Sequence, residues 1–270
     1  MDEKFLLEHA FSTSVTPLET HFHNAYELIL VKRGSASIII SNRKYDLKAN
    51  SLVFVGSFEE HSLIMTSDIY ERYFLILSPT YVNKYINEPK ILHFLKNRPK
   101  WFLHVVNIEG NFDFIEYAIK MIIEEGTSQN HMDSLLIASF LIQILVFVYR
   151  ENVSSIHHFN KPLRKEVLSI QTYIEENCLE NILIRDIANK YFIDAYYLSH
   201  IFKEATGHSP KQYLMLQRLA HAKELLLHTS LQICEIAEQS GFSDINNFIR
   251  YFKRQMMITP GQYRQAGKQQ

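Results

Sequence analysis

Residues 236–264 read IAEQSGFSDINNFIRYFKRQMMITPGQYR. Within them Phe248, Tyr251, Phe252 and the pair Gln255-Met256 recur at three and four positions, the period that lays one stripe of a helix against a core. The spacing predicts a helix from Asp244 to Met256, with Ser243 as its N-cap and Gly241 in the tight turn that leaves the preceding helix. Its polar face carries Asn246, Asn247, Arg250, Lys253 and Arg254, side chains suited to base edges and phosphates. A short helix, a Gly-containing turn and a second helix with that polar face describe a helix-turn-helix.

The pattern occurs once more upstream. IANKYFIDAYYLSHIFKEATGHSPKQYL, residues 187–214, repeats the Ile-Ala opening, and Phe202-Lys203, Ser209-Pro210 and Gln212-Tyr213 stand fifty positions before Phe252-Lys253, Thr259-Pro260 and Gln262-Tyr263. Two units therefore recur in tandem. With RLAHAKELL between them, and GFSDINNFIRYFKR followed by ITPGQYR, the C-terminal part resembles the AraC/XylS family of bacterial transcription regulators. Met257 departs from the family's usual glycine after the recognition helix, whereas Gly207 is present at the equivalent place in the first unit. The resemblance implies a cytoplasmic regulator, most often an activator, that binds promoter sites on double-stranded DNA, answers to a small-molecule effector and works with RNA polymerase.

Helical spacing assigns faces in both units. In the first, Asp194 is the expected N-cap, Leu198, Ile201 and Phe202 face inward, and Tyr196, His200 and Lys203 face out. In the second, Phe248 and Phe252 are core, while Asn246, Ile249 and Arg250 face out. Asparagine can bond adenine and arginine guanine, each bidentate pair giving ~1–3 kcal/mol of discrimination, and Ile249 could meet a thymine methyl. Arg218, Lys253, Arg254 and Arg264 are expected at phosphates, which add affinity without sequence information; solvated surface charge is their other reading. Tyr213 and Tyr263 are expected as core anchors. The helix predicted over 210–227 spans ~27 Å at ~1.5 Å per residue, a spacer of the order needed to set two recognition helices one DNA turn apart, ~34 Å.

Charge agrees with this division in a modest way. From Lys161 onward there are 14 Lys and Arg against 11 Asp and Glu, which leaves −4 for the rest of a chain whose net charge is −1. The two cysteines, Cys178 and Cys234, match no metal or redox spacing and are expected as buried thiols. No apolar run of signal-peptide length opens the chain, and LLIASFLIQILVFVY, residues 135–149, is short for a membrane span, so no membrane is expected.

The front of the chain changes character. YELILV, ASIII, SLVFV and RYFLIL, all between Tyr26 and Leu77, read as short strands separated by Ser41-Asn42-Arg43 and Lys48-Ala49-Asn50, a spacing that favours a sandwich or barrel. Within HFHNAYELILVKRG, His21, His23, Glu27 and Gly34 have the spacing of the first cupin motif, and His61 falls where the second places its histidine. This part resembles a cupin barrel, the usual sensor of such regulators. If the strand runs unbroken, His21, His23 and Glu27 share a face, and with His61 they could form a three-His, one-carboxylate metal site. The motif lacks its flanking glycine and proline-glycine turn, and regulators of this kind commonly keep such histidines without metal. These four residues are therefore expected to meet the effector, with no metal and no cofactor.

After Leu77 the sequence predicts helices from Pro79 and across 91–95, a strand in WFLHVV from Trp101, an amphipathic helix over 112–125 and a helix over 134–149 that is apolar almost all round. Such a helix buries both faces within one chain or meets a second subunit; the resemblance favours a homodimer. VSSIHHFNKP, residues 153–162, reads as a linker, and a helix over 163–178 follows. The expected class is α+β: a cupin-like barrel with accessory helices over 1–152, and an all-α domain of two helix-turn-helix units joined by a long helix over 163–270. The rival readings are a metal-dependent cupin enzyme carrying a nucleic-acid module, and an adaptor whose helix-turn-helix units no longer touch DNA.

Overall fold

The strand β2 (Tyr26–Arg33) is buried on both faces, which is why its sequence shows no alternation. In the computed structural model, which describes residues 5–12, 20–97, 102–126, 133–154 and 165–267, the chain divides into two compact units, residues 1–164 and 165–270. Within the first unit β2 belongs to a five-stranded antiparallel sheet in the order β1 (Phe5–Ser12), β7 (Tyr70–Leu77), β2, β5 (Ser51–Val55), β8 (Val105–Asn107). A second antiparallel sheet runs β4 (Arg43–Lys48), β3 (Ser35–Ile40), β6 (His61–Met65). The expected barrel is thus built as two sheets with a core between them.

Alternation along β2 sorts its residues into two cores. Ile29 and Val31 join Val53, Val55, Ile38, Ile40, Leu63 and Met65 between the sheets. Tyr26, Leu28 and Leu30 point the other way, into a core completed by α1 (Pro79–Tyr85), α2 (Pro89–Lys96), α3 (Phe112–Gly126) and α4 (Asp133–Ser154). Each such fully buried aliphatic side chain contributes ~1.5–3 kcal/mol relative to exposure. Glu27 shares the parity of Ile29 and Val31, which aims a carboxylate toward the space between the sheets.

Three strands escape the sequence reading: β1, β4 and β6. In β4 only Leu47 is buried, and its outward Arg43, Lys44, Asp46 and Lys48 give the polarity of a protected edge rather than of a strand. Ser41 and Asn42, both at positive φ, close the β3–β4 hairpin, and Asn50 takes the same region before β5. The strand expected from Trp101 begins only at Val105, and Trp101 itself lies outside the described residues.

α4 is longer than its apolar run suggested. Asn152 is buried near its end, accepting from the Leu103 backbone at 2.9 Å and donating to the Val148 carbonyl at 3.1 Å. By length and composition Leu135–Asn152 could cross a membrane, yet Ile137, Leu141, Ile144, Leu145 and Val148 lie in the core with α3 and the sheet. Leu135 and Leu136 are left exposed, as are Phe114 and Tyr117 of α3, and the Tyr117 ring meets Phe140 of α4. The expected linker lies outside the described residues except for Val153 and Ser154, which end α4.

The second unit is helical: α5 (Lys165–Asn177), α6 (Ile184–Lys190), α7 (Ala195–Thr206), α8 (Pro210–His228), α9 (Ile233–Gln239), α10 (Ile245–Met256) and α11 (Pro260–Gly267). α5 seals it with Val167, Ile170 and Ile174, all fully buried. Neither cysteine is fully buried as expected: Cys178 is half-buried and Cys234 exposed. The N-cap of α10 is Asp244 rather than Ser243; its carboxylate accepts from the Asn246 and Asn247 backbone N–H groups at 3.1 and 2.9 Å. Aspartate wins because its two oxygens satisfy two orphan donors and its charge suits the positive helix end.

The repeat exposes a matched pair of strained positions. Gly207 ends α7 at φ 80, and Met257 ends α10 at φ 60. Gly241 makes the turn before α10 at φ 78, and Phe192 makes the corresponding turn before α7 at φ 54. Met257 and Phe192 are 81% and 95% exposed, so neither gains burial in return for a left-handed backbone. Met257→Gly and Phe192→Gly should each stabilise the second unit by about 0.5–1 kcal/mol, read as a raised urea midpoint at unchanged slope. A lowered midpoint would show that these side chains hold contacts the fold needs.

Candidate DNA-binding face and ligand cluster

Burying one stripe of each recognition helix decides what the other stripe presents. In α7, Leu198, Ile201 and Phe202 are buried, and Tyr196, Tyr197, His200 and Lys203 are exposed. In α10, Phe248 and Phe252 are buried, and Asn246, Asn247, Arg250, Lys253 and Arg254 are exposed. Phe202 packs edge-on against Tyr213 with ring centroids 5.5 Å apart, and Phe252 packs on Tyr263 at the same 5.5 Å. The two tyrosines are thus the core anchors that the repeat suggested.

The two caps match as well. Asp194 accepts from the Tyr196 and Tyr197 N–H groups at 2.9 and 3.0 Å, as Asp244 does from Asn246 and Asn247. These caps place the first-turn side chains at the open end of each helix. Tyr197 was not assigned from the sequence, although it stands fifty positions before Asn247, which was, on the same exposed stripe. Their equivalence in the repeat was the available signal. Ile249 is half-buried at the edge of the stripe rather than fully outward.

Arg218 does not take the phosphate position expected of it. Its Nε donates to the Cys178 carbonyl at 2.7 Å and its guanidinium to the Glu180 carbonyl at 2.8 Å, so α8 clamps the chain leaving α5. Burial lowers its pKa from the ordinary arginine value. Arg264 of α11 plays a similar part at the C-terminal end of α8, donating to Leu226 and Leu231 carbonyls at 3.3 and 2.7 Å. Both arginines answer carbonyls in or just beyond the last turn of a helix, a demand that sequence spacing does not display. Arg218→Ala should cost ~1–3 kcal/mol of stability in urea. It should leave the salt dependence of DNA binding unchanged, whereas loss of a phosphate contact would lower that slope by about one.

In the first unit, His21, His23, Glu27 and His61 come together, but not along one strand. The chain bends at Asn24 and Ala25, and His21 instead pairs with His61 in an antiparallel bridge, with backbone bonds of 3.0 and 2.9 Å. Nε2 of His23 lies 3.3 Å and Nε2 of His61 3.1 Å from the same oxygen, Oε2 of Glu27. His61 is 4% exposed. Burial alone would raise the Glu27 pKa, but its bonds to His23 and His61 outweigh this and bring it down to about 2. Burial likewise works against a charged His61, and the neighbouring Glu27 carboxylate raises its pKa above the ordinary value.

Comparison with known proteins draws both units together. Residues 11–145 match the AraC-like ligand binding domain, half of the chain, and residues 187–266 match a helix-turn-helix domain. The chain belongs to the AraC family. It is a DNA-binding regulator of transcription with a ligand-binding domain in front of its helix-turn-helix units. Among AraC-family relatives, it is 26% identical over 252 residues to the HTH-type transcriptional activator RhaR of Cronobacter sakazakii, covering 91% of this chain and 86% of that one. It is 29% identical over 182 residues to the lactose operon transcription activator of Staphylococcus xylosus, covering 66% of this chain and 64% of that protein. Among solved structures, ToxT of Vibrio cholerae matches 96% of the chain with a TM-score of 0.62 at 18% identity, a likeness of fold.

Proposed function

We propose that the chain is an activator that binds promoter DNA through α7 and α10 and responds to a small-molecule effector held by its first unit. The observation that carries this is the pair of recognition helices fifty residues apart, each with one buried stripe and one exposed polar stripe. Tyr196, His200 and Lys203 would face one major groove, and Asn246, Ile249 and Arg250 the next, with Lys253 and Arg254 on the backbone. The sensor runs to the end of α4 at Ser154 rather than to 152, with 155–162 as the linker and 163–270 as the DNA-binding domain. His21, His23, Glu27 and His61 are the proposed ligand contacts. The relatives named as activators support the sign of regulation. RNA polymerase is the proposed protein partner, the cytoplasm the compartment, and no catalytic step or membrane is involved.

Arg250 lies one turn after Asn246 on the exposed stripe, where a guanidinium can fork onto a guanine. Arg250→Ala should weaken the preferred site by ~1–3 kcal/mol and relax selectivity at one base pair, with most non-specific binding intact. Titration against matched and singly substituted duplexes at several salt concentrations reads this. Uniform weakening of all duplexes would make Arg250 a phosphate contact, and no change would remove it from the interface.

A homodimer is proposed through the exposed apolar side of α3 and α4, where Tyr117 and Phe140 rings meet at 6.0 Å and Leu135 and Leu136 are uncovered. Tyr117 and Leu135 are 56% and 59% exposed, so a charge at either position is tolerated by the monomer fold. Tyr117→Glu with Leu135→Glu should give a folded monomer by sedimentation. A dimer of unchanged affinity would place the interface elsewhere.

A further inference from the structure

The two recognition helices are anchored and capped alike, yet their outward chemistry differs. α10 carries three cations, Arg250, Lys253 and Arg254, and no acid. α7 carries one, Lys203, and Glu204 follows it directly. At the open end of each helix the contrast is sharper. Where the second unit exposes the amides of Asn246 and Asn247, the first exposes the rings of Tyr196 and Tyr197, which are 83% and 50% exposed. Phe192, in the turn before α7, is exposed as well, whereas the second unit has Gly241 in the corresponding turn and keeps the next residue, Phe242, buried.

The cap limits what these rings can approach. Oδ1 of Asp194 takes the N–H groups of both Tyr196 and Tyr197, so neither is left for a phosphate, and the carboxylate itself repels one. A ring held beside that charge is directed to base edges rather than to the backbone. In the major groove those edges present hydrogen-bond donors and acceptors, together with one apolar substituent, the C5 methyl of thymine. An aromatic ring gains by covering that methyl. Removing one buried carbon group of this size from water is worth about fourfold in affinity, and the gain needs no charge.

From this contrast we infer that α7 selects thymine, the Tyr196 ring covering a thymine methyl with Tyr197 flanking it, while α10 supplies the hydrogen-bonded and ionic readout. The inference rests on the reading that both helices enter major grooves, and it names the bases that one of them chooses. It gives the two halves of the site different physics. Recognition at α7 is apolar and weakly dependent on salt, and recognition at α10 combines amide and guanidinium contacts to bases with phosphate contacts. The block read by α7 is accordingly rich in A·T pairs.

The test uses the full chain and the duplex recovered by selection from a random pool, resynthesised with deoxyuridine in place of thymidine at one position at a time. Uracil keeps the hydrogen bonds of thymine and lacks only the methyl. In the block that does not depend on Asn246 and Arg250, at least one replacement should weaken binding about fourfold. That penalty should vanish in Tyr196→Ala and persist in Tyr196→Phe, which keeps the ring and removes the hydroxyl. Coupling between side chain and methyl is the readout, because Ile249 of α10 can meet a methyl in the other block. Tyr196→Ala should also leave the salt slope unchanged. Tyr196 is exposed, so both variants keep the fold, which an unchanged urea midpoint verifies. Absence of any penalty in that block, a penalty undiminished in Tyr196→Ala, a Tyr196→Phe variant that binds as weakly as Tyr196→Ala, or a slope lowered by about one each overturns the inference. In those cases two selected blocks still support the reading of α7 and α10 as recognition helices. If the wild-type protein enriches no sequence, that reading falls and this inference with it.

Discussion

The second unit depends on the burial of Phe202 against Tyr213 and of Phe252 against Tyr263. A helix of twelve residues, as α7 and α10 each are, is marginal alone, and tertiary packing of one stripe is what holds it. Once those rings are buried, the helix has no rotational freedom left. The stripe about half a turn away must face outward, and in α10 that stripe is Asn246, Asn247, Arg250 and Lys253. Stability and recognition are therefore one constraint: the aromatic anchors select which side chains DNA can meet. The arginine clamps of Arg218 and Arg264 extend it, since one ties the middle of α8 to the chain leaving α5 and the other ties α11 to the C-terminal end of α8.

The first unit obeys a different rule. β2 is buried on both sides, so its residues are divided by parity between a helical core and an inter-sheet core. A carboxylate on such a strand is costly unless it is paired. Glu27 is tolerated because it sits at the end of the inter-sheet space where His23 and His61 reach it. The same helices that complete the other core leave Phe114, Tyr117, Leu135 and Leu136 exposed, so one amphipathic layer both closes the unit and leaves an apolar face outside.

Much of the second unit was legible because helical period, caps and a fifty-residue repeat all state the same fold. The repeat even carried information that spacing within the first unit did not, since the exposure of Tyr197 matches that of Asn247. Arg218 was misread because a guanidinium bonded to backbone carbonyls and one bonded to phosphate look alike in sequence. Ser243 and Asp244 are adjacent acceptable caps, and only the backbone decides between them. In the first unit β4 was illegible for the reason that it is an edge, with charges where alternation should be apolar. The four-residue cluster was found for a partly wrong reason: an unbroken strand would have aligned His21, His23 and Glu27, but the chain bends at Asn24 and Ala25, and the bridge to His61 does the assembling.

On this reading the two recognition helices, presented by equivalent anchors, meet two successive major grooves on one face of the duplex. Selection of bound sequences from a random duplex pool, followed by methylation interference on the recovered site, tests it most directly. Two short blocks of selected base pairs per protein chain are expected, centred one helical turn apart, ~10–10.5 base pairs. Substituting Asn246 or Arg250 should erase one block, and substituting Tyr196 or His200 the other. A single block that responds to only one helix, or a bound pool without any enriched sequence, would contradict it.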